Sequence, residues 1–176
     1  SRVLIVGGAG YFGARLAVAL QNMAEVTVTL RSVSPIKEAW LQQSGLGHVR
    51  YDSAIHDAIE VDGRFDAVIN LAMPGALEAA HDPEAAHGKA LSVARDCVKL
   101  LDNGQAARLL HFSSFHVYGA VGRNCFDESD APAPAHPYGL AHLACEQLLS
   151  DDERVWIVRP SNMFGVPAHA DLGDQA

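Results

Sequence analysis

Three glycines spaced three apart, Gly7, Gly10 and Gly13, follow directly on the apolar run Val3-Leu4-Ile5-Val6. A G-x-x-G-x-x-G pattern in that place lets a strand turn into a helix around a phosphate. The first glycine permits the tight turn, the second lets backbone approach a pyrophosphate, and the third lets helix and strand pack closely. Beyond them the helix opened by Tyr11 and Phe12 offers unpaired amides and a partial positive charge, which stabilise a diphosphate. The pattern therefore points to a nicotinamide dinucleotide. At the end of the next strand an acidic residue would bond the adenosine ribose 2′-OH of NAD. Arg31 stands there instead, within Thr29-Leu30-Arg31-Ser32. A guanidinium pairs with a 2′-phosphate and stacks on adenine, so NADP is the expected cofactor and NAD the alternative.

The elements that must position these groups are legible in the alternation of short apolar runs with longer amphipathic ones. Strands are predicted over 3–6, 26–30, 48–51, 67–71, 109–113 and 155–159, rich in Val, Ile and Leu without strict alternation, as in strands covered on both faces. Helices are predicted over 12–23, 35–43, 83–102 and 137–150, with Pro83 and Pro137 at first-turn positions that tolerate proline. In the third, Ala90, Val93, Ala94, Cys97, Leu100 and Leu101 make an apolar stripe. Strands alternating with helices imply an α/β, Rossmann-like, doubly wound parallel sheet. The stretch DAPAPAHP, 130–137, reads as an extended loop. Residues 1–165 are expected to be the dinucleotide-binding domain, and 166–176 the start of a substrate-binding region otherwise absent from the chain.

Composition narrows the function. A length of 176 residues, 49% hydrophobic and 19% charged, suits one globular domain. The net charge of −8, with scattered Lys and Arg, argues against nucleic acid as a partner. No apolar run approaches the roughly 20 residues needed to span a membrane, and no leader pattern is visible. Three cysteines without a CxxC pair favour a reducing cytoplasm. Nine histidines include the neighbours His111 and His116, and His136 and His142, but neither spacing is a familiar metal-ligand pair, so no metal is expected.

Three further motifs accompany the glycine loop: Asn70-Leu71-Ala72, Ser113-Ser114-Phe115-His116-Val117-Tyr118-Gly119, and Tyr138-Gly139-Leu140-Ala141-His142. In this order, over essentially the whole chain, they resemble the extended short-chain dehydrogenase/reductase family, the NAD-dependent epimerase/dehydratases that mostly act on nucleotide sugars. The resemblance implies reversible hydride transfer at a sugar carbon. It assigns Ser114 to the reacting oxygen, Tyr138 to the proton, and His142 to the place of a lysine that holds the ribose. It also implies adenine contacts from Asp52 and Ser53, cofactor contacts from Leu71, Ala72 and Pro160, and substrate contacts from His116 and Asn162. The family often dimerises through a two-helix face, for which 83–102 and 137–150 are the candidates.

Two departures stand out. The usual Y-x-x-x-K is here Tyr138-x-x-x-His142. Positions four apart share a helix face, so His142 still sits beside Tyr138. An imidazole is mostly neutral at pH 7, however, and a cation ~4–5 Å from the phenol is worth on the order of 3–4 kcal/mol at an effective dielectric near 20. Losing it favours a phenol that donates, hence ketoreduction over alcohol oxidation. If His142 acts as a cation, activity should rise as pH falls through about 6.5. The second departure is the stretch Gly88-Lys89-Ala90-Leu91, which has none of the asparagine the family uses in its proton relay. Lys89 there reads as a solvated helix residue. Two readings follow: an active oxidoreductase or epimerase/dehydratase, or a dinucleotide-binding regulatory module of the same fold that has lost catalysis.

Overall fold

Apolar runs too short for helices, bounded by glycine or charge, become strands. The computed structural model describes residues 1–119 and 125–169. Its strands are β1 (Arg2–Val6), β2 (Glu25–Leu30), β3 (Gly47–Arg50), β4 (Ala67–Asn70), β5 (Leu109–Phe112) and β6 (Val155–Val158). The helices are α1 (Tyr11–Leu20), α2 (Pro35–Ser44), α3 (Ala76–His81), α4 (Pro83–Asp102) and α5 (Pro137–Leu149). All strands pair in parallel in the order β3-β2-β1-β4-β5-β6, the doubly wound arrangement the sequence predicts. The order reverses between β1 and β4, and the crevice outside their C-terminal ends is where such sheets bind ligands.

Two differences from the sequence reading have local causes. The helix predicted over 12–23 ends at Leu20, where Met23 and Ala24 turn back to its carbonyl and lead into β2. Helix α3 was not anticipated, because six residues are too few to display a helical period. The stretch 130–135 is irregular, as expected of DAPAPAHP, and Ala133 ties it to the carbonyl of Val117.

Both faces of the sheet are covered. Leu4, Val6, Val68 and Leu109 meet the stripe of α4 and Ala141, Cys145 and Leu149 of α5. Ile5, Val28 and Ile69 face the other way, onto Ala14 and Ala17 of α1 and Trp40 and Leu41 of α2. The alternation of Leu4, Ile5 and Val6 between the two cores is the period-two pleat of a strand buried on both sides.

Two imidazoles also lie within the α4/α5 layer. His111 of β5 and His142 of α5 are 0% and 2% exposed. Nδ1 of His111 meets Nδ2 of Asn70 at 3.1 Å, while its Nε2 and both ring nitrogens of His142 have no partner among the described residues. Burial pushes the His111 imidazole down to about 4 and that of His142 down to about 3.

Two outcomes follow from this packing. A Cβ at Gly13 would sit 2.5 Å from the carbonyl oxygen of Gly7 and 2.8 Å from Cα of Gly8, both backbone atoms. Gly13→Ala should therefore lower stability by about 1–3 kcal/mol, read as a lower urea midpoint. The two buried imidazoles are neutral when folded but protonate near 6.5 when unfolded. The unfolded chain then binds more protons, so stability should fall as pH drops below about 6.5, by on the order of 2 kcal/mol per imidazole at pH 5. The loss continues down to the folded values of about 4 and 3. Urea melts from pH 7 to 5 should show a shallower decline for His142→Leu than for wild type; an equal slope would exclude His142 as a contributor.

Candidate functional site

At the sheet's switch point the chain must turn sharply, and small residues let it. Gly7 adopts a left-handed φ of +80°, and a Cβ on it would lie 3.0 Å from Cα and N of Ala72. The Gly7 amide donates to Oγ1 of Thr29 at 3.0 Å, and the Ala72 amide donates to Oδ1 of Asn70 at 3.0 Å. Two strand-end side chains thus hold the two turns against each other. The helix that follows begins at Gly10, which has no side chain to cap it. Helices α2, α4 and α5 are capped by Ser34, Asp82 and His136. The first-turn amides of α1, on Tyr11, Phe12 and Gly13, are consequently open to an outside acceptor.

A hollow of ≈ 480 Å³ opens at this turn. Gly7, Gly10 and Tyr11 form one end, Arg31 and Ser32 follow β2, Asp52 and Ser53 follow β3, and Leu71 and Ala72 follow β4. The sequence-predicted cofactor residues of these four loops therefore share one cavity. Phe12 and Gly13 do not line it. The Phe12 ring packs on Phe112 with centroids 5.5 Å apart, so this residue can offer a dinucleotide only its backbone amide. Gly13 packs on Gly7 and Gly8, so it too can offer a dinucleotide only its backbone amide.

Several residues of this wall escaped the sequence reading. Lys89 is no solvated helix residue: it lines the hollow and pairs with Glu78 at 2.6 Å. The hydrogen bond from Lys89, helped by the charges of Lys89 and Arg31, holds the Glu78 carboxyl below its ordinary range. Lys37 adds a third cation beside Arg31. Tyr51 closes the floor and donates to Oδ2 of the buried Asp96 at 2.6 Å, while Lys99 binds Oδ1 at 2.8 Å. Burial and this hydrogen bond push the Tyr51 phenol up. No motif marks these positions; Thr29 and Tyr51 were visible only as polar groups at the ends of apolar strands.

The groups assigned to proton transfer gather just past the C-terminal end of β5. Ser114 caps a 3-10 turn over Phe115–Tyr118, its Oγ accepting from the His116 amide at 3.3 Å. Its own O–H stays available to an incoming oxygen. Tyr138, in the first turn of α5, is half-buried between two imidazoles. The His142 ring lies 4.5 Å away and the His116 ring 5.5 Å away, both edge to face. The Tyr138 amide donates to Nδ1 of His136 at 3.2 Å, and its hydroxyl takes no partner among the described residues. This packing depends on Gly139, where a Cβ would lie 2.7 Å from the His116 carbonyl oxygen.

His142 sits beside Tyr138 as the spacing requires, in surroundings that oppose the conditional reading of it as a cation near pH 6.5. Burial, with the neighbouring His111 and His116, keeps it neutral down to about 3. It does not line the ≈ 480 Å³ hollow either. Pro160 uses its carbonyl to accept from the Phe115 amide at 3.1 Å, and Asn162 is exposed. Arg159, just before Pro160, forms a part-buried pair with Glu146, at 2.6 and 2.9 Å, and donates to the Tyr118 hydroxyl at 2.7 Å. The chain then returns to the glycine loop: the Tyr11 hydroxyl donates to the Gly165 carbonyl, and the His169 ring contacts the Ala9 carbonyl at 3.3 Å. Residues 170–176, the rest of the region expected to begin at 166, lie outside the described residues. Among the described residues no helix is long and apolar enough to cross a membrane.

Comparisons with known proteins bear on this arrangement. A putative UDP-arabinose 4-epimerase of Arabidopsis thaliana is 25% identical over 191 aligned positions, which take in 99% of this chain and 44% of that protein. The fold matches UDP-N-acetylglucosamine 4-epimerase from Methanobrevibacter ruminantium in complex with UDP-N-acetylmuramic acid, with a TM-score of 0.80 and 22% identity, over 93% of this chain and 56% of that one. It also matches UDP-glucuronic acid 4-epimerase from Bacillus cereus in complex with NAD, with a TM-score of 0.78 and 22% identity, over 94% and 58% of the two chains. The chain thus spans about half the length of the proteins it matches. The model of the NAD dependent epimerase/dehydratase family matches residues 3–174, from the first strand through the returning segment. By that match, across all four motifs and the open glycine turn, the chain belongs to the NAD dependent epimerase/dehydratase family.

Proposed function

We propose that this chain holds NADP, with NAD as the weaker alternative, across the hollow at the switch point and serves hydride transfer on a nucleotide sugar. The observation that carries this reading is the uncapped N-terminus of α1 opening beside Arg31 in a single cavity. Diphosphate would take the Tyr11, Phe12 and Gly13 amides, and adenosine the end framed by Asp52, Ser53 and Arg31. Arg31, Ser32 and Lys37 together suit an additional 2′-phosphate. Free thiols at Cys97, Cys125 and Cys145 accord with a reducing, cytoplasmic setting.

The bound nicotinamide would supply or accept the hydride. The chain supplies the proton chemistry. Ser114 donates its O–H to the substrate oxygen and polarises it, and Tyr138 delivers the proton from a hydroxyl that no described residue competes for. With a neutral imidazole beside it, Tyr138 works as a donor, which favours reduction of a ketone. Catalytic roles thus fall on Ser114 and Tyr138, with His142 a packed neighbour and His116 and Asn162 on the substrate side.

A binding module without turnover remains the second reading, favoured by one observation: His142 is buried, neutral and away from the hollow. Calorimetric titration separates the cofactor question from the catalytic one. NADPH should bind more tightly than NADH, and Arg31→Ala should weaken NADPH about ten-fold while changing NADH little. Equal or tighter NADH binding would overturn the NADP preference. With NADPH and a 4-keto UDP-sugar, His142→Lys should raise the rate of a live enzyme several-fold. Wild type and variant both inert would establish the binding module.

A further inference from the structure

The cation missing from position 142 has a candidate replacement across the Tyr138 ring. His116 sits on the 3-10 turn after β5, with its amide held by Ser114 and its carbonyl accepting from Gly119. Phe115 lies against its ring at 4.2 Å, and its other neighbour is the edge of Tyr138 at 5.5 Å. The contact is built in, because only glycine at 139 lets α5 approach the His116 carbonyl so closely. His116 is exposed, unlike His142 on the opposite side of the same phenol.

We propose that His116 is the titrating partner of Tyr138, the solvent-facing group that returns a proton to Tyr138 after Tyr138 has given up its own. This rests on the reading of Tyr138 as proton donor. In the step, the Tyr138 O–H breaks as the substrate oxygen takes the proton, leaving a phenolate. An N–H of the His116 imidazolium then breaks, a bridging water relays the proton to rebuild the Tyr138 hydroxyl, and the neutral imidazole is reprotonated by solvent. Among the described residues the groups around His116 are few. From α5 and its cap come Tyr138, the neutral His142 and His136; from β5 comes the neutral His111, and from the turn after it Ser114. Glu146, further along α5, is neutralised by Arg159. Burial and the charge of His136 lower the His116 pKa, so the imidazolium forms below the usual value.

The test reads Tyr138 directly and needs neither substrate nor cofactor. The full chain, labelled with ¹³C at tyrosine Cζ and histidine Cε1, is titrated by NMR, with Tyr138→Phe assigning the tyrosine signal. The Tyr138 signal should inflect at the His116 midpoint, lie below pH 6.5, and lose that inflection in His116→Gln. His136→Asn keeps a capping side chain but removes a positive neighbour, so the His116 midpoint and the Tyr138 inflection should move up together. A Tyr138 signal that is flat across the His116 titration, persists in His116→Gln, or stays put while His116 shifts would overturn the proposal. Failure of dinucleotide binding in calorimetry would count against the cofactor reading and leave this result standing.

Discussion

The binding end of this protein depends on backbone packed against backbone where β1 and β4 part. Gly7 approaches Ala72 to a distance that leaves no room for a β-carbon, and Gly13 packs on Gly7 and Gly8 with equal economy. Asn70 and Thr29 hold the two turns through single hydrogen bonds. The result is a helix whose first amides face a cavity instead of a capping side chain. A folded protein leaves such donors open where water or a ligand can satisfy them. The proposed seat for a dinucleotide depends on that one arrangement.

The proton-transfer end is held by a different logic, aromatic packing around α5. Tyr138 stands between a buried imidazole and an exposed one, and these do not behave alike. Desolvation disfavours charge on His142 far more than on His116, because water still reaches the latter. Charge near the phenol is therefore controlled by depth. A lysine could carry its ammonium away from the helix toward solvent or ligand; an imidazole at the same position has no comparable reach. The neutral His142 also carries a stability consequence, since its orphaned nitrogens are retained within the core layer.

The fold was largely legible in the sequence. The six apolar runs became six parallel strands, and the stripe from Ala90 to Leu101 became the buried face of α4. Such patterns are readable because burial on both faces of a sheet demands unbroken apolar residues. Short α3 carried no period and went unseen. Within the site, Gly7, Gly10, Arg31, Asp52 and Ala72 could be placed because each stands at a strand end. Lys89 and Lys37 could not, since they reach the same hollow from helices α4 and α2 at separations no motif records, and Tyr51, directly after β3, carries no motif either.

By itself, then, the sequence determined which residues could do the chemistry: the glycines of the turn, Ser114, Tyr138 and the histidine in place of a lysine. Local spacing suffices for that, because a strand–turn–helix and an i, i+4 pair are set by backbone geometry alone. Only the tertiary structure decided which imidazole can carry charge. His142 and His116 lie 26 positions apart in the chain, yet they flank one phenol. Their protonation is governed by how much water each keeps, and that is a property of packing no sequence position holds.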